Sequence, residues 1–319
     1  MASSSSLWPF PTPPSLTQVM KEDGECINWA ELPSELTSSI LRRLSSIDIL
    51  ENAQKVCTSW RGVCKDPAMW RKIDMRNLGK FFYKDRHKHV AMCRHAVDRS
   101  LGGLVEIDIC YIGTDSLLNY IADRSSNLRS LRLAMCSTVT SEGLTEAIAK
   151  LTLLEDLEVS YCSLSAESLK VVGQSCPNLK TLKLNREGVN RFPYESDDDA
   201  LAIAETMSRL RHLQLFGNKL TDADIGLNAI LDNCPNLEHL DLRLCLNVNF
   251  VGDLEKRCSE RIKVVRRPDD STHDYPYDVL FYDSGSFEHY YPEDHYFPAT
   301  SDHYGDDQYD IDIFGFIQI

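Results

Sequence analysis

Basic residues are missing from the end of this chain: from Asp269 to Ile319 there are 11 Asp and 2 Glu but no Lys or Arg. The formal net charge is −14, so this segment holds −13 of it and the preceding 268 residues about −1. Without a basic excess, the body is not built for broad nucleic-acid binding. No window reaches the roughly 20 consecutive apolar residues needed to span a bilayer. Met1 to Pro14 lacks both the basic start and the long apolar run of a secretory signal. Residues 1–25, with Ser3 to Ser6 and Pro9, Pro11, Pro13 and Pro14, read instead as a flexible leader. That start is Ser-rich and acid-poor, yet it carries none of the arginine typical of a plastid transit peptide. No N-x-S/T sequon is present, and the 11 cysteines are odd in number and scattered. They are expected to be reduced, packed thiols rather than a disulfide framework. The chain is thus expected inside the cell, in nucleus and/or cytoplasm. There is no G-x-S-x-G elbow, Walker loop, paired C-x-x-C or H-E-x-x-H. No catalytic residue and no cofactor are expected, so the chain reads as a non-enzyme.

What is present begins at Asn28 to Asp74. Pro33 suits a first helical turn, where its missing N–H costs nothing. Leu36, Ile40, Leu41 and Leu44 then recur at helical spacing. A second helix is expected near Ser46-Ile47-Asp48, and a third with Val56, Cys57, Trp60 and Val63 on one face, ending before Asp66-Pro67. Three helices in about 45 residues are marginal alone. The apolar groups, including Trp29, Leu32, Ile47, Ile49, Leu50, Met69 and Trp70, exceed what so small a bundle needs, and some are expected to form an interface.

Leu32-Pro33, Leu36, Ile40-Leu41, Leu44, Asp48-Ile49, Val56-Cys57, Trp60-Arg61, and Asp66-Pro67 followed by Trp70 resemble the F-box pattern nearly position for position. Ile49 stands where leucine is usual, a near-isosteric exchange. The resemblance implies docking on a SKP-family adaptor and, through it, a cullin-based ubiquitin ligase. Leu32, Pro33, Leu36, Ile40, Leu41 and Leu44 would face the adaptor, while Trp60 and Trp70 lean into the bundle's own core.

Residues 75–103 read as a connector helix with Phe81, Phe82, Val90, Cys93 and Val97 on one face. Its His87, His89, Cys93 and His95 include zinc-ligand types, but only positions three or four apart share a helical face. A solvated histidine-rich face with a packed Cys93 is the better reading, and no metal is expected.

From Leu104 the chain repeats, which governs every later reading. Units begin L-V-E-I-D-I at Leu104, L-R-S-L-R-L at Leu128, L-E-D-L-E-V at Leu154, L-K-T-L-K-L at Leu179, L-R-H-L-Q-L at Leu210 and L-E-H-L-D-L at Leu237, with a frayed seventh near Ile262. Cys136, Cys162, Asn218 and Cys245 stand eight positions on, a pattern broken by Ile112 and Glu187. Thr114, Thr140, Ser165 and Thr221 are expected helix caps, and Leu117, Leu144, Leu169 and Ile225 inward anchors. These features resemble cysteine-containing leucine-rich repeats, over 104–267. Lys263, Arg266, Arg267 and Pro268 are suited to blunting the last strand edge.

Residues alternating with the leucines would point onto a concave face. One file, Asp108, Arg132, Glu158, Lys183, Gln214 and Asp241, reads as self-neutralising. A second, Tyr111, Met135, Tyr161, Arg186, Phe216 and Arg243, is of the types enriched in recognition surfaces, and these residues are the client-binding candidates. The interval near 186–199 is too long and carries Arg191-Phe192-Pro193-Tyr194-Glu195, suited to a partner contact or a tolerated insertion. The acidic, Tyr-rich segment 268–319 is expected to be disordered with occasional docking.

The expected architecture is α/β: an N-terminal three-helix F-box (28–74), the 75–103 connector, a short leucine-rich-repeat solenoid with strands inside and helices outside, and an acidic tail. Together these features most resemble plant F-box/leucine-rich-repeat proteins, over about residues 28–267. The resemblance implies a substrate receptor of an SCF-type ubiquitin ligase that binds an unidentified client. A non-degradative scaffold is the main alternative, and a small-molecule receptor a weaker one because six or seven repeats enclose little volume.

Overall fold

The computed structural model describes residues 28–76, 78, 85–162, 164–186 and 195–276. The leader, Phe81, Phe82, Glu187, the 187–194 part of the inserted interval and the tail beyond Pro276 lie outside the described residues. The described residues up to Asp274 belong to one compact unit.

Its front is the expected small bundle. Helix α1 (Ser34–Leu41) follows Pro33, and α2 (Ser46–Glu51) is capped by Ser45, whose Oγ accepts from the Asp48 N–H at 3.1 Å. Helix α3 (Thr58–Cys64) starts after Cys57, whose sulfur accepts from the Trp60 N–H. Val56 therefore precedes the helix and is exposed rather than on its inner face. Asp66 caps the single turn Pro67–Trp70 through its Oδ1 and the Ala68 N–H. Trp70 is fully buried, its Nε1 donating to the Cys64 carbonyl at 2.9 Å, while half-buried Trp60 donates to the Trp29 carbonyl at 3.2 Å.

Eight strands then form one parallel sheet in chain order: β1 (Lys72–Met75), β2 (Glu106–Cys110), β3 (Ser130–Ala134), β4 (Asp156–Ser160), β5 (Thr181–Asn185), β6 (His212–Gln214), β7 (His239–Asp241) and β8 (Val264–Arg266). Six follow the L-x-x-L-x-Φ starts (Φ aliphatic), and β8 is the frayed seventh. The first, β1, straddles the end of the segment read as F-box, and Ile73 and Met75 are completely buried. The sheet thus begins one strand earlier than the repeats suggest, and helix α4 (Arg86–Arg99) packs beside it. At the other end the compact unit continues through 268–274, beyond the expected start of the tail.

The crossover helices are α5 (Asp115–Arg124), α6 (Ser141–Lys150), α7 (Ala166–Ser175), α8 (Asp198–Thr206), α9 (Leu227–Asn233) and α10 (Asp253–Arg261). Thr114, Thr140 and Ser165 cap the first three as expected, accepting from Leu117, Gly143 and Ser168 N–H groups. Thr221 does not cap a helix: its N–H and hydroxyl both donate to Asp197, and α9 starts only at Leu227. With the start delayed, Ile225 is 57% exposed and Leu227, fully buried, takes the anchor position.

Cys136 and Cys245 are completely buried and Cys162 is half-buried. Their thiols donate to backbone carbonyls, Cys136 to Ala134 at 3.2 Å, Cys162 to Ser160 at 3.4 Å and Cys245 to Leu215 at 2.8 Å. Asn218 does the equivalent work with an amide, accepting from the Leu220 N–H and donating to Asp199. The small polar group demanded eight residues into the repeat is therefore a backbone ligand.

Candidate functional site

Two surfaces stand out. The first is the solvent side of α1. Pro33 is exposed, Leu32 is half-buried, and Leu36, Ile40 and Leu44 are 54%, 37% and 41% exposed. Leu41, one residue from Ile40, is completely buried with Ile47, Ile49 and Leu50 in the chain's own core. It supports the face from beneath rather than lying on it. Helical geometry explains the split, because adjacent positions point about 100° apart. Leu36 and Ile40 on α1, with Leu44 just past its end, leave three large aliphatics in solvent on one short stretch, enough to mark a contact surface.

The second is the concave face. The register places Asp74, Asp108, Arg132, Glu158, Lys183, Gln214, Asp241 and Arg266 in one row across all eight strands. Neighbours pair as expected: Arg76 with Asp108 at 3.0 Å, Arg132 with Asp108 at 3.2 Å and Glu158 at 2.9 Å, and Lys183 with Glu158 at 3.5 Å. Burial pushes the Asp108 carboxyl up to about 6 against the pull of Arg132 and Arg76. A second row, Arg129–Glu155–Lys180 and Arg211–Glu238–Lys263, repeats the alternation. An open groove of about 320 Å³ lies over β1–β5, and one of about 200 Å³ over β5–β8.

The six client candidates do not form one ladder. Tyr111, Met135 and Tyr161 are half-buried in equivalent places at the strand ends, with φ of 67°, 52° and 56°; Gly217 (65°) and Leu244 (61°) occupy the same place in later repeats. Phe216 and Arg243 stand one residue earlier, aligned with Cys110, Ala134, Ser160 and Asn185. Both are buried, at 1% and 5% exposure. The Arg243 guanidinium lies 5.7 Å from the Phe216 ring and pairs with Asp241 and Asp274, which holds its proton more tightly than usual. It closes the last repeat. Arg186 is likewise committed, to Asp199 and the Leu164 carbonyl. Tyr111, Met135 and Tyr161 are the half-buried part of the set. Sequence reasoning missed the stacked His212–His239 pair, whose rings lie 4.4 Å apart at 27°. Its signal was histidine at the same offset in L-R-H-L and L-E-H-L.

In α4, His89 and Cys93 are buried and His87 is exposed, so the three diverge. Burial pushes the Cys93 thiol up to about 12. No three His, Cys, Asp or Glu side chains among the described residues gather as a metal-binding set. No helix there is long and apolar enough to cross a membrane.

Comparison with known proteins bears on both surfaces. Residues 29–76 match the F-box-like domain family. The F-box protein SKIP19 of Arabidopsis thaliana is 65% identical over 274 residues, 86% of this chain and 85% of that protein. F-box/LRR-repeat protein 22 of the same plant is 57% identical, over 90% of this chain and 91% of that protein. The F-box protein SKIP1, also from Arabidopsis thaliana, is 31% identical, over 78% and 89%. The yeast Rad7–Elc1 complex aligns with 74% of this chain and 62% of its own at a TM-score of 0.38 and 14% identity, too loose a likeness to speak to the fold.

Proposed function

Because this chain belongs to the plant F-box/leucine-rich-repeat proteins, we propose that it is the client-recognition subunit of an SCF-type ubiquitin ligase. An SCF substrate-adaptor role is general to F-box proteins. The finer assignment is that Pro33, Leu36, Ile40 and Leu44, with Leu32, dock on a SKP-family adaptor that leads to a cullin. The observation that carries it is the exposed aliphatic face of α1 within residues 29–76, the segment that matches the F-box-like family. The concave face and the Tyr111, Met135 and Tyr161 rim would hold the client. The chain supplies no nucleophile in this reading: burial raises the Cys93, Cys176 and Cys234 thiols away from the thiolate that transfer chemistry needs, and Cys162, which its hydrogen bond with Cys136 lowers, is packed into the repeat turn. Its contribution is proximity, turning a dilute encounter between client lysines and a charged enzyme into a local one.

The test is co-purification of the full chain and of a Leu36→Asp/Ile40→Asp variant. Adaptor and cullin should accompany the first and be lost from the second, with only a small fall in the thermal melt because Leu36 is 54% and Ile40 37% exposed. Adaptor retained by the variant would remove the face from consideration. Adaptor without cullin would favour the non-degradative scaffold.

A further inference from the structure

We propose that Cys162 and Cys136 form an oxidation site: a hydroperoxide converts the Cys162 thiol to a sulfenic acid, and Cys136 resolves it as a disulfide between two successive repeats. The inference stands on the repeat stack and does not depend on an adaptor or a client.

The position eight residues into each repeat reads Ile112, Cys136, Cys162, Glu187, Asn218 and Cys245, so only Cys136 and Cys162 place thiols there in neighbouring repeats. The ladder between β3 and β4 pairs Ala134 with Ser160 and runs one bond further, from the Met135 N–H to the Ser160 carbonyl at 2.8 Å. Met135 and Tyr161 then turn through the same left-handed conformation, with φ of 52° and 56°, and deliver the two cysteines to equivalent places. Neighbouring strands lie about 4.8 Å apart, inside the roughly 4.4–6.8 Å between Cα atoms that a disulfide spans. The Cys162 thiol leans back toward the earlier repeat. Its Sγ lies 3.9 Å from the Leu133 carbonyl oxygen, and it is hydrogen-bonded to the Cys136 side chain.

The two thiols are not alike. Cys136 is completely buried, while Cys162 is half-buried and within reach of a small oxidant. The hydrogen bond with Cys136 holds Cys162 below the ordinary thiol value against the effect of burial. The same contact, and then burial, push Cys136 well above it. Cys162 is thus the sulfur that meets the oxidant as thiolate, and Cys136 the one that resolves.

Atoms and electrons balance with hydrogen peroxide. The Cys162 sulfur attacks one peroxide oxygen; an S–O bond forms, the O–O bond breaks, and the departing hydroxide takes the Cys162 proton as water. The Cys136 sulfur then attacks the sulfenyl sulfur; the S–S bond forms, the S–O bond breaks, and hydroxide leaves with the Cys136 proton as a second water. The two thiols lose the two electrons that the peroxide gains. Cys136 gives up its proton reluctantly, but the step is intramolecular between groups already in contact, which offsets this. The new bond ties together the turns that carry Met135 and Tyr161.

The test uses the full chain, first reduced, then treated with hydrogen peroxide in native buffer, alkylated and mapped by mass spectrometry without reduction. The expected product is a peptide pair joining Cys136 to Cys162, two hydrogens lighter than its parts and separated by dithiothreitol. Before oxidant, Cys162 should alkylate about tenfold or more faster than the buried Cys176 and Cys234, the margin between a lowered thiol and a raised one. Cys136→Ala should stop at a Cys162 sulfenic acid that dimedone captures, and Cys162→Ser should leave Cys136 reduced. The native cross-link is read without any variant, so a substitution that unfolds the chain does not remove the test. A native chain whose Cys162 stays reduced under peroxide, or pairs with Cys110 instead, would overturn the inference. So would dimedone capture at Cys162 that is equal with and without Cys136.

Discussion

Arg186 and Asp199 close the two ends of the inserted interval with a two-point ion pair, Nε to Oδ2 at 2.7 Å and Nη2 to Oδ1 at 2.9 Å. The same carboxylate accepts from Asn218 at 2.9 Å, so three segments meet on one anion. Asp199→Ala would strand a half-buried guanidinium and an amide. The expected cost is ~1–3 kcal/mol in urea denaturation. Lys72→Ala, which removes an exposed pair with Glu106, should cost under about 0.5 kcal/mol. Equal losses would show that solvent screens both pairs alike.

Leu41 and Leu36 lie on the same helix and should respond in opposite ways. Leu41→Ala empties a fully buried site and should cost about 2–5 kcal/mol. Leu36→Asp, on the exposed side, should leave the melting temperature nearly unchanged while abolishing adaptor capture. Calorimetry alongside a pull-down separates the two.

Met135 and Tyr161 occupy the left-handed region, where a Cβ is strained by about 1–2 kcal/mol. The usual order of small substitutions should therefore invert. Met135→Gly is expected to be more stable than Met135→Ala by about 1 kcal/mol, measured by denaturant midpoint. A more stable alanine variant would mean that the turn relaxes to negative φ.

Acid should loosen the protein before its ordinary carboxylates titrate. Burial, with Lys88 assisting and Glu51 and Asp85 opposing, holds the buried His89 below its ordinary value; His95 is lowered by burial and Arg99. Such imidazoles stabilise the fold above the unfolded value of about 6.5, and that contribution is lost as pH falls toward the folded value. Asp108, near 6, acts in the opposite sense, since its protonation favours the folded state. The expected outcome is a lower melting temperature at pH 5.5 than at pH 7 (about one unit below and half a unit above that reference), with a smaller drop in His89→Gln.

The repeat architecture was legible because leucine spacing and Thr or Ser caps are local signals, and Leu104 to Leu237 carried six of them. What stayed hidden depended on neighbours. Four residues at Lys72–Met75 are too few for alternation to announce a strand. Phe216 and Arg243 look like surface anchors until register moves them one residue, onto a buried file. Leu41 and Ile40 are interchangeable in a hydrophobic pattern, and only packing against Ile47 and Leu50 tells core from exposed face. Ile225 was misplaced because Asp197 diverts Thr221 from capping.

β1 ties the front bundle to the repeats through main-chain hydrogen bonds with β2, linking the part proposed to grip the adaptor to the part proposed to grip the client. A chimaera cut between residues 75 and 103 would leave that strand behind and expose a raw sheet edge, so exchange of recognition arrays would have to carry Lys72–Met75 along. The aim of the assembly at a client lysine would then be set like a fixed bracket, by the tilt of a single four-residue strand.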